Sequence, residues 1–475
     1  MKQKTLVMKF GGTSVGSRDA LINATQIVKD ARAKYPRLAV VASAMSGVTN
    51  LLLDCAAQAT QGKVDSLPAA ESALREKHFA ILDALVKDEN LSETAKREIN
   101  ALILALVNLC KAIAMLGEAS PRALDAVASL GERMSVHLLS ATLESAGVPA
   151  KAITATELIV TNAHFQNAHP DFKATTEKTR TALNPLMEQG VVAVITGFIG
   201  ATPEGAITTL GRGGSDYSAA IIGAVLPADE VWIWTDVDGI MTTDPRIVPS
   251  AKTLAEITYS EIAELAYYGA KVLHPKTIRP VVDAGVGLRI CNTFNPSHDG
   301  TRLIANAPYD ATARAGEQVV KAVTAIRNQR LVTIEGRGML GVPGVAARAF
   351  AAVASTHTSV PLITQASSEQ SICFAVPSES VAPVISALEN VFASELADND
   401  IDRVWTTEDV SIITVVGVGI RYTPGVAGEV FCKLGKHNVN VLAIAQGSSE
   451  VSISMVVSSA DTELAVRALH ELIVK

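Results

Sequence analysis

Cysteines, aromatic residues and long apolar runs are scarce in this sequence. The five cysteines among 475 residues form no CxxC pair and are widely spaced, which is typical of reduced, buried thiols and argues against a disulfide framework. The nine histidines form no HExxH pattern, so the sequence predicts no structural zinc site. We therefore expect a cytoplasmic protein with no metal site built from its own side chains.

The sequence also lacks a basic cluster and a membrane-spanning segment. Its net charge is −7 without any basic run, which argues against nucleic acid as a partner. The most apolar helical stretch, 101–116, is interrupted by Asn108 and Lys111, and the apolar residues before Lys9 are too few for a signal peptide. We expect a core helix at 101–116 and no membrane partner.

Two common phosphate-binding signatures are missing as well. Neither the P-loop pattern GxxxxGK[ST] nor the protein kinase patterns HRDxxxxN and DFG occurs, so any phosphate chemistry must use another scaffold. A GxGxxG pattern begins at Gly336, but no acidic residue follows it at about 20 positions, where a dinucleotide's ribose would be bound. These glycines are better explained as a ligand-facing turn of an internal repeat.

Glycine-rich turns follow apolar strands near the start of the chain. A predicted strand at 5–10 contains Lys9 and leads into Gly11 and Gly12, and a continuous apolar strand at 38–45 leads into SGVTN. In doubly wound sheets the carboxyl ends of parallel strands meet at one edge, where ligands bind. Lys9 can reach phosphate oxygens from there, although a surface lysine beside a turn would look the same.

The stretch 209–246 shows this arrangement more fully. Gly213 and Gly214 precede an Ala-rich run that predicts a helix, and a buried strand at 230–235 follows. Glycine N–H groups at the start of a helix can approach an anion closely and add the favourable helix dipole. The stretch therefore predicts a phosphate site, with an ordinary tight turn as the alternative.

Helices are predicted by the Ala- and Leu-rich runs around 70–87, 92–116 and 121–146. The last run contains LGERMS, which places Glu132 and Arg133 side by side in an apolar context. These residues can form an ion pair on a solvated face, or one charge can point into a substrate cleft. The spacing does not decide between the two.

Seven motifs, in this order and spacing, resemble the aspartate kinases. They are KFGGTSVG at 9–16, SAMSGVTN at 43–50, LGERMS at 130–135, GFIG at 197–200, TTLGRGGSDYSAA at 208–220, WTDVDGIMTTDPR at 234–246 and GAKVLHP at 269–275. The resemblance runs from residue 5 to the C-terminus. It implies the amino-acid kinase fold, a three-layer αβα sandwich with a mostly parallel sheet. It also implies phosphorylation of the side-chain carboxylate of L-aspartate by ATP and Mg²⁺.

The chemistry explains the residue types in these motifs. A carboxylate with an ordinary pKa near ~3.9 is already ionised at neutral pH, so the reaction needs no general base. It needs positioning and charge neutralisation instead, as phosphoryl transfer generally does. The implied product is 4-phospho-L-aspartate, the first intermediate on the route to lysine, threonine and methionine.

The resemblance assigns a role to each matching residue. Lys9 resembles the catalytic lysine, and Asp216 orients it. Glu132 would accept the α-ammonium of aspartate, and Arg212 would bind its α-carboxylate with a guanidinium fork. The other implied aspartate contacts are Ser43, Thr49 and Ser215. The implied nucleotide-binding residues are Lys9, Gly11, Gly12, Gly213, Gly214, Thr235, Asp236, Asp244, Arg246 and Lys271. Met241 replaces a tyrosine that many relatives carry, so no aromatic contact to the nucleotide is expected there.

The last third of the chain repeats itself after a polar linker at 305–318. LVTIEGRGMLGVPGVAARAF starts at 331 and SIITVVGVGIRYTPGVAGEVF at 411, and Gly336, Pro343 and Phe350 recur 81 residues later. Each copy predicts strand, helix, strand, strand, helix, and resembles the ACT amino-acid sensing domain. The second copy lacks a final strand, which 319–326 could supply.

We therefore predict a catalytic domain at 1–304 and a first ACT domain at 331–406. That domain is inserted within a second ACT domain made of 319–326 and 407–475. The chain ends too early for an additional homoserine dehydrogenase domain, so we expect that activity to be absent. Two other functions remain open: an amino-acid kinase for glutamate, carbamate or a nucleotide, and a sensor with an inactive kinase domain.

Both repeat copies carry Gln-x-Ser-Ser-Glu, which begins at Gln365 and at Gln446. The resemblance implies that these glutamines contact an amino-acid effector and that the ACT domains form a homodimer. A lysine effector needs an acidic partner for its ammonium, for which Glu369 and Glu450 are the candidates. Neutral glutamines favour threonine over lysine.

Overall fold

The computed structural model describes residues 3–269, 273, 275–305, 319–339, 342–365, 370–420, 422–446 and 451–473. The chain forms two compact units. The first contains Met1–Ile240, Ala255–Tyr259 and Val272–Ala305, and the second contains Met241–Leu254, Ser260–Lys271 and Asn306–Lys475. Two short stretches that precede the predicted boundary at residue 304 therefore belong to the second unit.

The first unit is built on a sheet whose strands lie in the order β3-β4-β2-β1-β7-β9-β10-β8. Neighbouring strands in this order are parallel, except for β9 and β10, which are antiparallel. A separate antiparallel hairpin joins β5 to β6. The strands are β1 Thr5–Phe10, β2 Arg37–Ala42, β3 Ala150–Ile153, β4 Val192–Thr196, β5 Ile199–Ala201, β6 Ile207–Thr209, β7 Glu230–Thr235, β8 Glu256–Thr258, β9 Gly287–Asn292 and β10 Thr301–Ile304.

Helices follow the strands, and several begin at a side-chain cap. Ser17, Asp88, Ser120 and Asp171 each accept a hydrogen bond from a first-turn N–H, which satisfies a donor that the helix leaves unpaired. The helices are α1 Arg18–Arg32, α2 Val48–Ala59, α3 Leu67–Leu85, α4 Glu89–Leu116, α5 Pro121–Ser145, α6 Phe172–Glu188, α7 Gly214–Val225, α8 Tyr259–Tyr267 and α9 Pro275–Asp283.

The two faces of the sheet are covered by different helices. Leu6 and Met8 share one buried core with α1 to α5. Val7, which alternates with them along β1, lies toward Gly223 of α7 on the other face. This gives three layers, αβα, as predicted, and it explains why β1 is buried along its whole length.

Helix α4 is long and apolar enough, by length and composition alone, to cross a membrane, with a mean hydropathy of 2.1. It packs against α2, α3 and α5. Ile99, Ile103, Leu106 and Cys110 are buried in that core. Packing between helices therefore accounts for part of its apolar composition, while Leu104, Met115 and Leu116 are exposed.

The second unit is built on an antiparallel sheet in the order β12-β13-β11-β15-β17-β16, with β14 also paired to β11. Its strands are β11 Ala322–Glu335, β12 Leu362–Gln365, β13 Ser371–Pro377, β14 Arg403–Thr406, β15 Val410–Val416, β16 Ala443–Ala445 and β17 Ser452–Ser458. Its helices are α10 Val345–Ser355, α11 Val381–Val391, α12 Ala393–Ala397, α13 Val426–Lys436 and α14 Thr462–His470.

Strand β11 belongs to both repeat copies. Its first half, Ala322 to Ile326, pairs with β15 of the second copy, and its second half pairs with β13 of the first copy from Gln329 onward. The register shifts between the halves, where Asn328 adopts a left-handed φ of 57°. The two predicted strands at 319–326 and 331 onward are thus one continuous strand with a bend.

Most of helix α8 belongs to the second unit, where its acidic side chains make buried contacts. Glu261 is completely buried, lies 3.1 Å from Lys321 Nζ and accepts the N–H of Val418 at 2.8 Å. Glu264 accepts the hydroxyl of Ser452 at 2.7 Å. Both Val418 and Ser452 belong to the second repeat copy, so α8 is fixed to that copy.

Candidate active site

A cavity of about 500 Å³ lies in the first unit at the end of β1. It is bounded by α2, α5, β6 and the start of α7. The predicted site residues that line it are Lys9, Ser43, Thr49, Glu132, Arg212, Gly213, Gly214, Ser215 and Asp216. Segments distant in the sequence thus converge on one cavity, because parallel strands deliver their following loops to the same edge.

Lys9 and Asp216 form a close ion pair in this cavity. Lys9 Nζ lies 2.5 Å from Asp216 Oδ1, although the angles are unfavourable for a hydrogen bond. Lys9 is only 8% exposed, and Asp216 stands in the first turn of α7. The two opposite charges attract each other strongly at this distance. The carboxylate therefore holds the ammonium at the end of β1.

The start of α7 depends on its two glycines. Gly213 is the N-cap residue with φ 71°, a left-handed conformation that glycine adopts without strain. A Cβ on Gly214 would lie 2.5 Å from a ring carbon of Phe198, so a larger residue would displace that ring. The result is a bare helix N-terminus beside Lys9, which is a suitable place for an anion.

Glu132 is a buried carboxylate that points into the same cavity. Its Oε1 accepts the N–H of Ala44 at 3.2 Å, and its Oε2 has no partner among the residues that the structure describes. Burial raises the pKa of Glu132 to about 8, and the hydrogen bond from Ala44 opposes that rise. An exposed ion pair with Arg133 is therefore the wrong alternative for Glu132.

Arg212 stands at the exposed rim of this cavity, between β6 and α7. Ser43 follows β2, and its N–H is bonded to the carbonyl of Phe10 at 3.1 Å. Ser215 packs so tightly on Gly197 that a Cβ there would lie 2.7 Å from the serine Oγ. This contact gives the GFIG motif a structural reason, because it supports the first turn of α7.

The predicted nucleotide-binding residues are only partly gathered at this edge. Gly11 donates its N–H to the carbonyl of Trp234 at 3.1 Å, which places Gly11 beside Thr235 at the end of β7. The described residues Gly11, Gly12, Thr235 and Asp236 lie outside the lining of the cavity itself.

The remaining nucleotide candidates lie elsewhere in the chain. Asp244 and Arg246 belong to the second unit, where Arg246 Nη2 lies 2.6 Å from Asp244 Oδ2. The hydrogen bond from Arg246 lowers the pKa of the Asp244 carboxyl. Lys271 lies outside the described residues.

Several residues of the cavity were not predicted. Asp125, Gln166, Phe198 and Thr209 line it as well. A signal existed for Asp125, since it precedes Glu132 by two helical turns and so lies on the same face of α5. The contacts of Gln166 and Thr209 depend on tertiary packing, which no local pattern in the sequence reveals.

Comparison with known proteins agrees with this fold. The amino acid kinase family matches residues 4–292, and the ACT domain matches residues 332–392 and 413–472. Lysine-sensitive aspartokinase 3 of Escherichia coli is 35% identical over 468 residues, which cover 98% of each chain. Bifunctional aspartokinase/homoserine dehydrogenase 1 of Zea mays is 39% identical over 465 residues, 98% of this chain and 50% of that protein.

Solved structures give the same result. Aspartokinase III of E. coli in complex with aspartate and ADP superposes with a TM-score of 0.80 at 33% identity, over 99% of this chain and 100% of that one. The aspartate kinase of Clostridium acetobutylicum gives 0.79 at 26% identity, over 98% and 100%.

Fold, site and matches define an amino acid kinase joined to a pair of ACT domains. Within the amino acid kinase family, the chain belongs to the aspartokinases. It spans about half the length of the bifunctional plant relatives that it matches.

Proposed function

We propose that the chain transfers the terminal phosphoryl group of MgATP to the side-chain carboxylate of L-aspartate. The observation that carries this proposal is the pairing of Glu132 and Arg212 across one cavity. Glu132 offers a buried carboxylate oxygen without a described partner, and Arg212 offers a guanidinium at the rim. An α-amino acid carries the complementary charges, an ammonium and a carboxylate, on one carbon.

Lys9 and the start of α7 perform the charge stabilisation. The Lys9 ammonium, held by Asp216, and the N–H groups near Gly213 and Gly214 are grouped at one end of the cavity. Negative charge spreads over the phosphoryl oxygens in the transition state, so donors fixed there lower the barrier. The attacking carboxylate is already ionised at neutral pH, and no side chain has to remove a proton.

The relatives support both substrates. The structure of E. coli aspartokinase III holds aspartate and ADP together. A nucleotide at the edge formed by Gly11 and Thr235 would place its terminal phosphate near Lys9. Mg²⁺ enters as part of the nucleotide substrate and neutralises phosphate charge when bound. The product, 4-phospho-L-aspartate, would be the first intermediate on the route to lysine, threonine and methionine.

A coupled ADP-release assay tests the proposal, with L-aspartate, L-glutamate and no amino acid as three parallel reactions. Trapping the product with hydroxylamine identifies an acyl phosphate as the corresponding hydroxamate. We expect ADP release that depends on aspartate and forms the hydroxamate in equal amount. Release with glutamate alone would indicate a different amino-acid kinase, and no release with either would indicate an inactive kinase domain.

We also propose that the ACT pair binds an amino acid with a neutral side chain, and threonine in preference to lysine. A cavity of about 380 Å³ lies in the first repeat copy. Its lining consists of Met339, Val342, Pro343, Gly344, Val345, Ala346, Gln365 and Ile372. None of these described residues is acidic, so a lysine ammonium would lack a partner there. A relative, E. coli aspartokinase III, has been solved with lysine and aspartate, so lysine is the alternative to test.

A homodimer through the ACT domains completes the proposal. Strands β12 and β16 end the strand order of the second sheet, and each carries a half-exposed isoleucine, Ile363 and Ile444. These two residues occupy equivalent positions in the repeat copies. Apolar side chains exposed on strands at the end of a sheet favour association with another chain. Light scattering should report a mass of twice 49.8 kDa or a multiple of it.

A further inference from the structure

Among the acidic residues that line the catalytic cavity, Asp125 has the smallest exposed fraction. It is 1% exposed and lies on α5, two turns before Glu132 and on the same helix face. Both of its oxygens are occupied. Oδ2 accepts the N–H groups of Gln166 and Thr209, each at 2.9 Å, and Oδ1 accepts the Thr209 hydroxyl at 2.8 Å.

These bonds join α5 to β6 and to the loop that contains Gln166. Thr209 ends β6 and stands three residues before Arg212. Gln166 lies in the loop before α6, and Ala168 of that loop donates its N–H to the Thr209 carbonyl at 2.9 Å. The carboxylate of Asp125 therefore ties the helix of Glu132 to the strand that leads to Arg212.

The loop held by Asp125 also supports the turn before Arg212. Gln166 has a φ of 67°, which is strained for a residue with a side chain, and the bond from its N–H to Asp125 stabilises that conformation. Gly211 has a φ of 78°, and a Cβ there would lie 3.1 Å from the Gln166 carbonyl. The turn that carries Arg212 thus rests directly on the strained residue.

We propose that Asp125 is a positioning residue that fixes where Glu132 and Arg212 hold the α-carbon of the substrate relative to Lys9, and thereby favours a side chain of the length of aspartate. The inference rests on the proposed function, in which these two residues bind the amino and carboxyl groups of the substrate. Asp125 itself does not need to touch the substrate, because three donors already use its oxygens. Its effect passes through hydrogen-bond geometry and not through its charge.

Replacement by asparagine separates geometry from charge. In Asp125→Asn the amide oxygen can accept both N–H groups, and the amide nitrogen can donate to the Thr209 hydroxyl, which also accepts. In Asp125→Ala all three bonds are lost. Thr209→Val removes the hydroxyl bond alone and serves as a milder variant if the alanine protein does not fold.

Steady-state kinetics and calorimetric titration of L-aspartate test the inference on the full chain. For Asp125→Ala we expect the KM and Kd for aspartate to rise about 10- to 100-fold, since three donors lose their buried acceptor and the turn before Arg212 loses its support. The KM for ATP should change less than about twofold, and the ratio of kcat/KM for aspartate over glutamate should fall. Asp125→Asn should keep most of the affinity for aspartate and most of the selectivity over glutamate. Thr209→Val should lie between the wild type and Asp125→Ala in both.

Asp171→Ala is the matched control, because that carboxylate also accepts two backbone N–H groups in the same unit but caps α6 instead. We expect it to leave the aspartate KM and the selectivity unchanged. Equal rises in the aspartate and ATP KM values, or the same change in Asp171→Ala, would reduce Asp125 to a general structural residue. If Asp125→Asn is as impaired as Asp125→Ala, the negative charge of Asp125 is what matters for aspartate binding. That result would also overturn the inference. If the wild type is active and Asp125→Ala has the same kinetics, the role of Asp125 is wrong and the proposed function stands. If the wild type does not phosphorylate aspartate, the proposed function itself is wrong.

Discussion

Lys9 Nζ and Asp216 Oδ1 lie 2.5 Å apart and join the first strand of the chain to the first turn of α7. The pair forms although both side chains are largely buried, so each compensates the desolvation of the other. The ammonium is thereby fixed where phosphoryl oxygens would gather charge. The predictions below begin with this residue.

Lys9→Ala should lower kcat by about two to three orders of magnitude, the typical loss on removing one electrostatic stabiliser. The KM for aspartate should change much less, because the lysine acts on the phosphoryl group. Lys4→Ala, at an exposed position before the same strand, is the control and should be neutral. A Lys9→Ala protein with near-normal kcat in steady-state assays would remove Lys9 from the catalytic group.

Arg212→Lys should raise the KM for aspartate about tenfold or more, while the KM for ATP stays close to normal. The substitution keeps the charge but loses the bidentate fork that fits a carboxylate. Calorimetric titration of aspartate gives the same comparison without turnover. Unchanged affinity in both Arg212→Lys and Glu132→Gln would show that neither residue binds the amino acid.

Aspartate binding should release a proton at about pH 7, because the pKa of Glu132 is about 8 in the unliganded protein. The substrate ammonium favours the ionised carboxylate, so affinity should increase as the pH rises toward 8. Titrations in buffers of different ionisation enthalpy count the released protons. Glu132→Gln should bind aspartate more weakly and should release no proton from this position. Proton release equal to that of the wild type would contradict the prediction.

The same group predicts the pH dependence of stability. The native pKa of about 8 exceeds the ordinary value of 4.5, so the native state holds a proton that the unfolded state loses between those values. The free energy of unfolding of the ligand-free protein should therefore decrease as the pH rises through this window. Denaturant titrations of Glu132→Gln should show a smaller decrease than those of the wild type.

Threonine should inhibit the kinase more strongly than lysine, and Gln365→Ala should weaken that inhibition while leaving the uninhibited rate unchanged. Gln365 is the polar side chain of an otherwise apolar cavity in the first repeat copy. Gln446→Ala tests the equivalent position of the second copy, which we also expect to contribute. Dose-response curves for each amino acid measure the effect. Inhibition by lysine alone would overturn this assignment. So would threonine inhibition that neither Gln365→Ala nor Gln446→Ala changes.

Lys321→Met should destabilise the protein by about 3 kcal/mol, the low end for breaking a buried ion pair, since Lys321 itself keeps some exposure. The loss would leave the completely buried carboxylate of Glu261 without this cation. Lys433→Met breaks the exposed pair with Glu471 and should change the urea midpoint little. If the two variants have equal urea midpoints, the buried pair does not stabilise the protein more than the exposed pair does.

Local patterns in the sequence predicted the central strands of the sheet that carries the site, but not β3, β8, β9 or β10. The apolar strands at β1, β2 and β7 were recognised because both faces of a parallel sheet are buried. Lys9 at the end of β1 and Ser43 after β2 do line one cavity, whereas Thr235 and Asp236 at the end of β7 lie outside its lining. The short hairpin of β5 and β6 was not predicted, because strands of three residues give no periodic signal.

The network around Asp125 could not be predicted, because its partners at Gln166 and Thr209 are distant in sequence and are brought near only by folding. The division into two compact units also depends on tertiary packing. The stretch that holds Asp244 and Arg246 follows the catalytic strands in sequence, yet it packs with the second unit. The resemblance to the aspartate kinases assigns these residues to the nucleotide set, and that assignment stays a prediction.

Strand β11 has a consequence for the evolution and engineering of the regulatory region. Since its two halves complete two different repeat copies, neither copy can be exchanged or deleted as a contiguous cassette. A graft of residues 331–406 from a relative with another effector would carry half a strand and would have to match the bend near Asn328. Effector specificity in such a chain should therefore change by substitutions within cavities more readily than by shuffling of whole ACT units.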